Sequence, residues 1–196
     1  MREIPEEMIL SCKDRDEWRS WLSKNFDTAD EIWFVFPTRD SGETGVSYND
    51  AVEEALCFGW IDSTARGLDE KHQLRRFTPR RKGSTYSRPN IERLIWLDGK
   101  GMIHPDVRPS VIPILEAEYE FPEDIIYELR KDPVVWRNYL STPEPYRRIR
   151  VSYIDAARKR PEEFRKRLDN FISVTRAGKR IGGYGGVEKY YGNDNY

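Results

Sequence analysis

The sequence predicts an α+β fold: a small β-sheet packed with helices, followed by a mainly helical C-terminal region. Three observations predict it. The run Glu31-Ile32-Trp33-Phe34-Val35-Phe36-Pro37 is β-branched and aromatic throughout and ends at proline, as a strand does. Separate segments before and after it repeat their apolar residues at helical spacing. Composition shifts near Phe121, where Pro122-Glu123-Asp124 opens a series of helix starts. The 196 residues divide accordingly into an α+β domain over 1–120, a helical region over 121–181, and a glycine-, tyrosine- and charge-rich tail over 182–196, expected to be flexible.

In chain order, Met1 to Ser11 reads as an extended lead-in. Asp14 to Lys24 is an amphipathic helix, with Trp18, Trp21 and Leu22 on one face and Arg15, Glu17 and Arg19 in water. The Glu31–Pro37 strand is apolar without a break, which predicts burial on both faces. Asp40-Ser41-Gly42-Glu43 is a turn. Ser47 with Asp50 three residues on is a helix-starting pair. Val52, Ala55, Leu56 and Phe58 form that helix's apolar stripe, and Glu53 and Glu54 fall mostly off it. Gly59 stops the helix as a left-handed residue. Trp60 and Ile61 continue extended, and Asp62 follows in a short loop or strand end.

Ile61 to Arg66 and Gln73 to Thr78 are two further strands around a loop. Pro79 to Pro89 is a basic loop, and Asn90 caps a helix from Ile91 to Gly99 with Ile91, Leu94, Ile95 and Leu97 inward. Met102 to Pro109 crosses over to a helix from Val111 to Tyr119. Beyond Phe121, Ile125, Ile126 and Leu129 form one helical stripe, and Pro133 opens a short helix. Tyr146 to Lys159 and Pro161 to Ala177 form a helical pair, with Phe164, Leu168, Phe171, Ile172 and Val174 inward and Gly178 as the stop.

Charged residues make up 34% of the chain but the net charge is −1, so nucleic acid would need a local patch. No stretch approaches the about 20 apolar residues of a membrane span, and the N-terminus has no apolar signal core. Cys12 and Cys57 fit reduced thiols, Cys57 on the apolar side of its helix, so a cytoplasmic setting is expected. No cofactor and no metal site are expected: two histidines and two cysteines are scattered without ligand spacing. Gly182 to Gly186 lacks the flanking strand and helix of a phosphate loop.

Arg75, Arg76, Arg80, Arg81, Lys82 and Arg88 crowd one segment, interleaved with Thr78, Ser84, Thr85, Tyr86 and Ser87. Guanidinium forks and neutral donors are the composition of an anion site. The candidate ligand-binding set is Trp60, Asp62, Arg76, Thr78, Arg80, Ser84, Tyr86, Ser87 and Asn90. The competing reading is a solvated loop whose cations pair with Glu53, Glu54, Asp62 and Asp69. The competing reading of Trp60, which is favoured, is core, and that of Asp62 is a structural partner of Arg80. No nucleophile with a base is discernible; if the protein is an enzyme, Asp62 is its base. Arg147 through Arg180 supply a second basic zone, which suits nucleic acid or an anionic membrane surface, or else ordinary helix solvation.

The stretches Ala55-Leu56-Cys57-Phe58-Gly59-Trp60-Ile61-Asp62-Ser63, Phe77-Thr78-Pro79-Arg80 and Ser84-Thr85-Tyr86-Ser87-Arg88-Pro89-Asn90 resemble the bacterial YdeI/OmpD-associated, or bacteriocin-protection, family. The resemblance covers Trp18 to Met102 well and the C-terminal helices more weakly. It implies a small bacterial or archaeal protein linked to stress or antimicrobial-peptide resistance. The expected function is a cytoplasmic protein binding an anionic small molecule. The alternatives are an enzyme acting on a phosphorylated or carboxylated small molecule, and a nucleic-acid binder using the basic C-terminal helices.

Overall fold

The structure, a computed structural model, describes residues 4–38, 40–182 and 188–191. The chain forms two compact units: Met1–Tyr86 with Leu94–Leu115, and Ser87–Arg93 with Glu116–Tyr196.

In the first unit four strands, β1 (Ile9–Leu10), β2 (Ile32–Pro37), β3 (Trp60–Gly67) and β4 (His72–Pro79), form one mixed sheet in the order β1-β2-β4-β3. β1 runs parallel to β2, and the other pairs are antiparallel. Two helices, α1 (Arg15–Asn25) and α2 (Tyr48–Cys57), cover the face that carries Ile32, Phe34 and Phe77. Trp18 of α1 sits edge-on to Phe34 and Phe77, and its indole donates to the Ala51 carbonyl of α2 at 3.0 Å. Both helix starts are locally encoded. Asp14 accepts the Glu17 amide at 2.9 Å, and Ser47 accepts the Asp50 amide at 3.1 Å.

Two expectations change here. The β2 strand is buried on one face only: Ile32 and Phe34 are buried, while Trp33 and Val35 are half-buried. Helices cover one side of this sheet, as an antiparallel arrangement allows. Glu53 and Glu54 do not face water. Both are fully buried, because α2 is enclosed by the sheet on one side and by Arg15 and Arg19 of α1 on another.

Gly59 ends α2 with φ +72°, and Trp60 starts β3 immediately. A Cβ there would meet Val107 only at an ordinary 3.5 Å, so strain and not crowding sets the effect of a side chain. Gly59→Ala is expected to cost about 1–2 kcal/mol, the left-handed penalty of an L-residue. Urea denaturation checks this, and an unchanged midpoint would contradict it.

Asp62 lies within β3, the strand expected over Ile61 to Arg66, and the pairing with β4 shifts register between Asp62 and Ala65. The next helix, α3 (Arg88–Gly99), starts before Asn90, so Asn90 sits in its first turn instead of capping it. Pro89 is compatible with a first helical turn, where its missing N–H costs nothing. Leu94 and Leu97 are buried as expected, but Ile95 is exposed. α4 (Arg108–Leu115) contains Pro113 and ends short of Tyr119.

The second unit is helical: α5 (Glu123–Arg130), α6 (Pro133–Leu140), α7 (Glu144–Asp155) and α8 (Pro161–Arg176). Its buried residues include Ile125, Leu129, Val135, Tyr139, Tyr146, Ile149, Leu168 and Phe171. Phe164, Ile172 and Val174 are half-buried. Asp132 caps α6, and Asn138 donates to the Thr175 carbonyl at 2.9 Å, tying α6 to α8. Gly178 follows α8 with φ +68°. Glu188–Tyr191 form a 3-10 turn with Tyr190 buried. The rest of the segment beyond Gly182 falls outside the described residues.

Candidate anion site

The candidate site follows β4. Where that strand ends, the Arg80 amide bonds the Gly59 carbonyl at 2.9 Å, which anchors the start of the basic loop to the helix stop. The Arg80 guanidinium lies 3.6 Å from the Tyr86 ring centre and donates from Nη2 to the Thr85 carbonyl at 2.7 Å. Its Nε is buried and has no partner among the described residues. Gly83, at φ +78°, lets the loop turn, and the Ser84 amide closes onto the Arg81 carbonyl at 3.0 Å. Arg81, Lys82, Ser84 and Thr85 are exposed. Burial raises the Tyr86 phenol above its usual range, with Arg80 opposing the shift.

The nearby acids are occupied elsewhere. Glu31 holds Arg76 through its Nε at 2.8 Å. Asp62 accepts the Tyr48 hydroxyl at 2.8 Å and faces Arg75 at 3.6 Å. Asp69 holds His72 at 2.9 Å and accepts two loop amides, which lowers its carboxyl. Glu53 and Glu54 hold Arg15 and Arg19. Among the described residues no carboxylate lies within ion-pair distance of Arg80, Arg81 or Lys82.

Of the nine residues singled out, Arg80, Ser84 and Tyr86 share this loop. Trp60 is fully buried, its indole donating to the Phe26 carbonyl at 2.9 Å. Asp62 pairs across the sheet with Phe77, whereas Thr78 pairs with Ile61 and Arg76 with Trp33. Side chains alternate along a strand, so Asp62 faces the helices while Arg76 and Thr78 face the other way. Ser87 and Asn90 belong to the second unit, where Asn90 accepts from Arg93 at 2.8 Å.

The cluster that pattern reading missed is Arg15, Arg19, Asp50, Glu53 and Glu54. Arg15 bonds Asp50 and Glu53 at 2.9 Å and also Glu54; Arg19 bonds Glu54 at 2.6 Å and the Met102 carbonyl at 2.8 Å. Its signal was the four-residue spacing of the two arginines, which puts them on one helix face. Burial, with Glu54 adding to it, pushes the neighbouring Cys57 thiol up to about 12, so it holds its proton at neutral pH. Among the described residues no cluster of ligating side chains could hold a metal ion. No helix among them is long and apolar enough to cross a membrane. In the second basic zone Arg148 pairs with Glu92 and Glu144, Arg158 with Asp124 and Asp155, Arg165 with Asp169, Arg167 with Glu163 and Arg176 with Asp132.

Residues 10–109 match a family described as a domain of unknown function (DUF8412), and residues 118–178 match one described as Bacteriocin-protection, YdeI or OmpD-Associated. The second is the family that the motifs between Ala55 and Asn90 resemble, yet its match falls on the helices α5 to α8. No curated protein and no solved structure matches the chain. By these matches the chain belongs to the DUF8412 family over its N-terminal half and carries a bacteriocin-protection, YdeI or OmpD-associated domain behind it.

Proposed function

We propose that this is a cytoplasmic binding protein for an anionic small molecule, with the loop from Arg80 to Tyr86 as its site. One observation carries the reading: three consecutive cations, Arg80 to Lys82, lack an acidic partner among the described residues while every acid expected to neutralise them is engaged elsewhere. Arg80 is already held by Tyr86 and the Thr85 carbonyl, so little ordering is lost when it meets a phosphate or carboxylate. Ser84 and Thr85 add neutral donors beside it. Binding is the whole of the proposed activity at this loop. The family's description supports a role for such a binder in bacteriocin protection.

The test is thermal unfolding with inorganic phosphate at constant ionic strength. A ligand that binds only the native state raises its stability by mass action. Phosphate is expected to raise the midpoint of the wild type by several degrees and that of Arg80→Ala by nothing. Arg80→Lys should recover part of the shift, having charge without the bidentate fork. Equal shifts in wild type and Arg80→Ala would reject the site.

A further inference from the structure

We propose that the helical unit holds a second binding site, lined by α5, α6 and the start of α7, for a small aromatic carboxylate. A cavity of about 650 Å³ lies there, walled by Phe121, Ile126, Trp136 and Tyr139, with Arg130 and Arg147 in its lining. That volume falls within the about 300–1,000 Å³ of small-molecule sites. Trp136 and Tyr139 stack with centroids 5.4 Å apart and planes 22° from parallel, which holds both rings in place. Large apolar side chains beside them stay in water: Tyr127 is 64% exposed and Leu140 50%. Exposed apolar surface of this kind around a cavity marks a place where something binds.

Charge selects the ligand. Four arginines of this unit that lie outside the cavity are neutralised: Arg158, Arg165, Arg167 and Arg176 each meet an aspartate or glutamate. The two in the cavity are different. Arg130 lies 4.8 Å from the Trp136 ring centre and Arg147 lies 5.5 Å from that of Tyr139. Arg147 also donates to the Leu140 carbonyl at 3.3 Å. Neither has a carboxylate within ion-pair distance among the described residues. A guanidinium held over a ring keeps its edge N–H groups for a planar carboxylate. Glu123 is the acid in the lining, so two arginines against one glutamate favour a monoanion and work against a phosphate dianion. A small aromatic ring within the apolar lining of Phe121, Ile126, Trp136 and Tyr139, with its carboxylate on the arginines, satisfies both features at once.

Calorimetric titration of the full chain with 2-naphthoate tests this, with 2-naphthalenemethanol as the uncharged isostere. The acid is expected to saturate one site per chain, and the alcohol to bind at least about tenfold more weakly, the weight of a charged hydrogen-bonded contact. The double variant Arg130→Gln, Arg147→Gln should lose about the same factor for the acid and nothing for the alcohol. Arg80→Ala should leave both titrations unchanged, and phosphate should not compete, which separates this site from the loop. Absence of saturable binding by 2-naphthoate overturns the proposal, as does equal affinity for acid and alcohol in the wild type. Competition by phosphate would overturn it too.

Discussion

Replacing Glu54 with alanine is expected to destabilise the fold by about 3–5 kcal/mol, the cost of removing one partner from a buried ion pair. The Glu54 side chain is fully buried between Arg15 and Arg19, each of which bonds one of its oxygens. Both arginines are half-buried, and Arg15 already has a buried Nη2 without a partner among the described residues. The truncation leaves Arg19 without a carboxylate among the described residues, while Arg15 keeps Asp50 and Glu53. Glu54→Gln keeps the shape and an acceptor while removing the charge, so it should fall between wild type and alanine. Urea denaturation of the three proteins checks the order. A loss under about 1 kcal/mol for the alanine variant would mean that the pair behaves as a solvent-exposed one.

Trp18→Ala should cost a similar amount, about 3–5 kcal/mol, by leaving a large cavity. Trp18 is fully buried and stacks on Trp21 at 5.4 Å while meeting Phe34 and Phe77 edge-on. Its indole N–H also anchors α1 to α2 through the Ala51 carbonyl. Trp18→Phe restores most of the packing but not that donor, and should lose about 1 kcal/mol more than its volume change alone explains. If the alanine variant unfolds at the wild-type midpoint, α1 does not pack on the sheet as described.

Much of the fold was legible because its punctuation is local. Asp14, Ser47, Gly59 and Gly178 act through bonds or dihedrals within a few residues, so reading them needs no tertiary knowledge. Glu53 and Glu54 were misread for the opposite reason. Charge marks a wet face only when no partner is buried with it, and the partners lie 35 or more residues away. The candidate site divides along the same line. Arg80 and Tyr86 are six residues apart and their stacking is a loop property, visible in composition. The opposition of Asp62 and Arg76 depends on strand register, and the capture of Arg76 by Glu31 spans 45 residues. Asn90 was placed one turn wrong because Pro89 reads equally well as a loop end or as a first-turn residue.

The register shift in β3 has a bearing on how copies of this protein meet. β3 and the two-residue β1 are the outer strands of the sheet. An outer strand presents unpaired amides and carbonyls that a foreign strand can use as a template. β1 is too short to serve. β3 is interrupted between Asp62 and Ala65, where exposed Ser63 and Thr64 break the ladder, and a break of this kind bends a strand. Both margins of the sheet thus carry features that work against strand-by-strand growth: brevity in β1 and an interrupted register in β3.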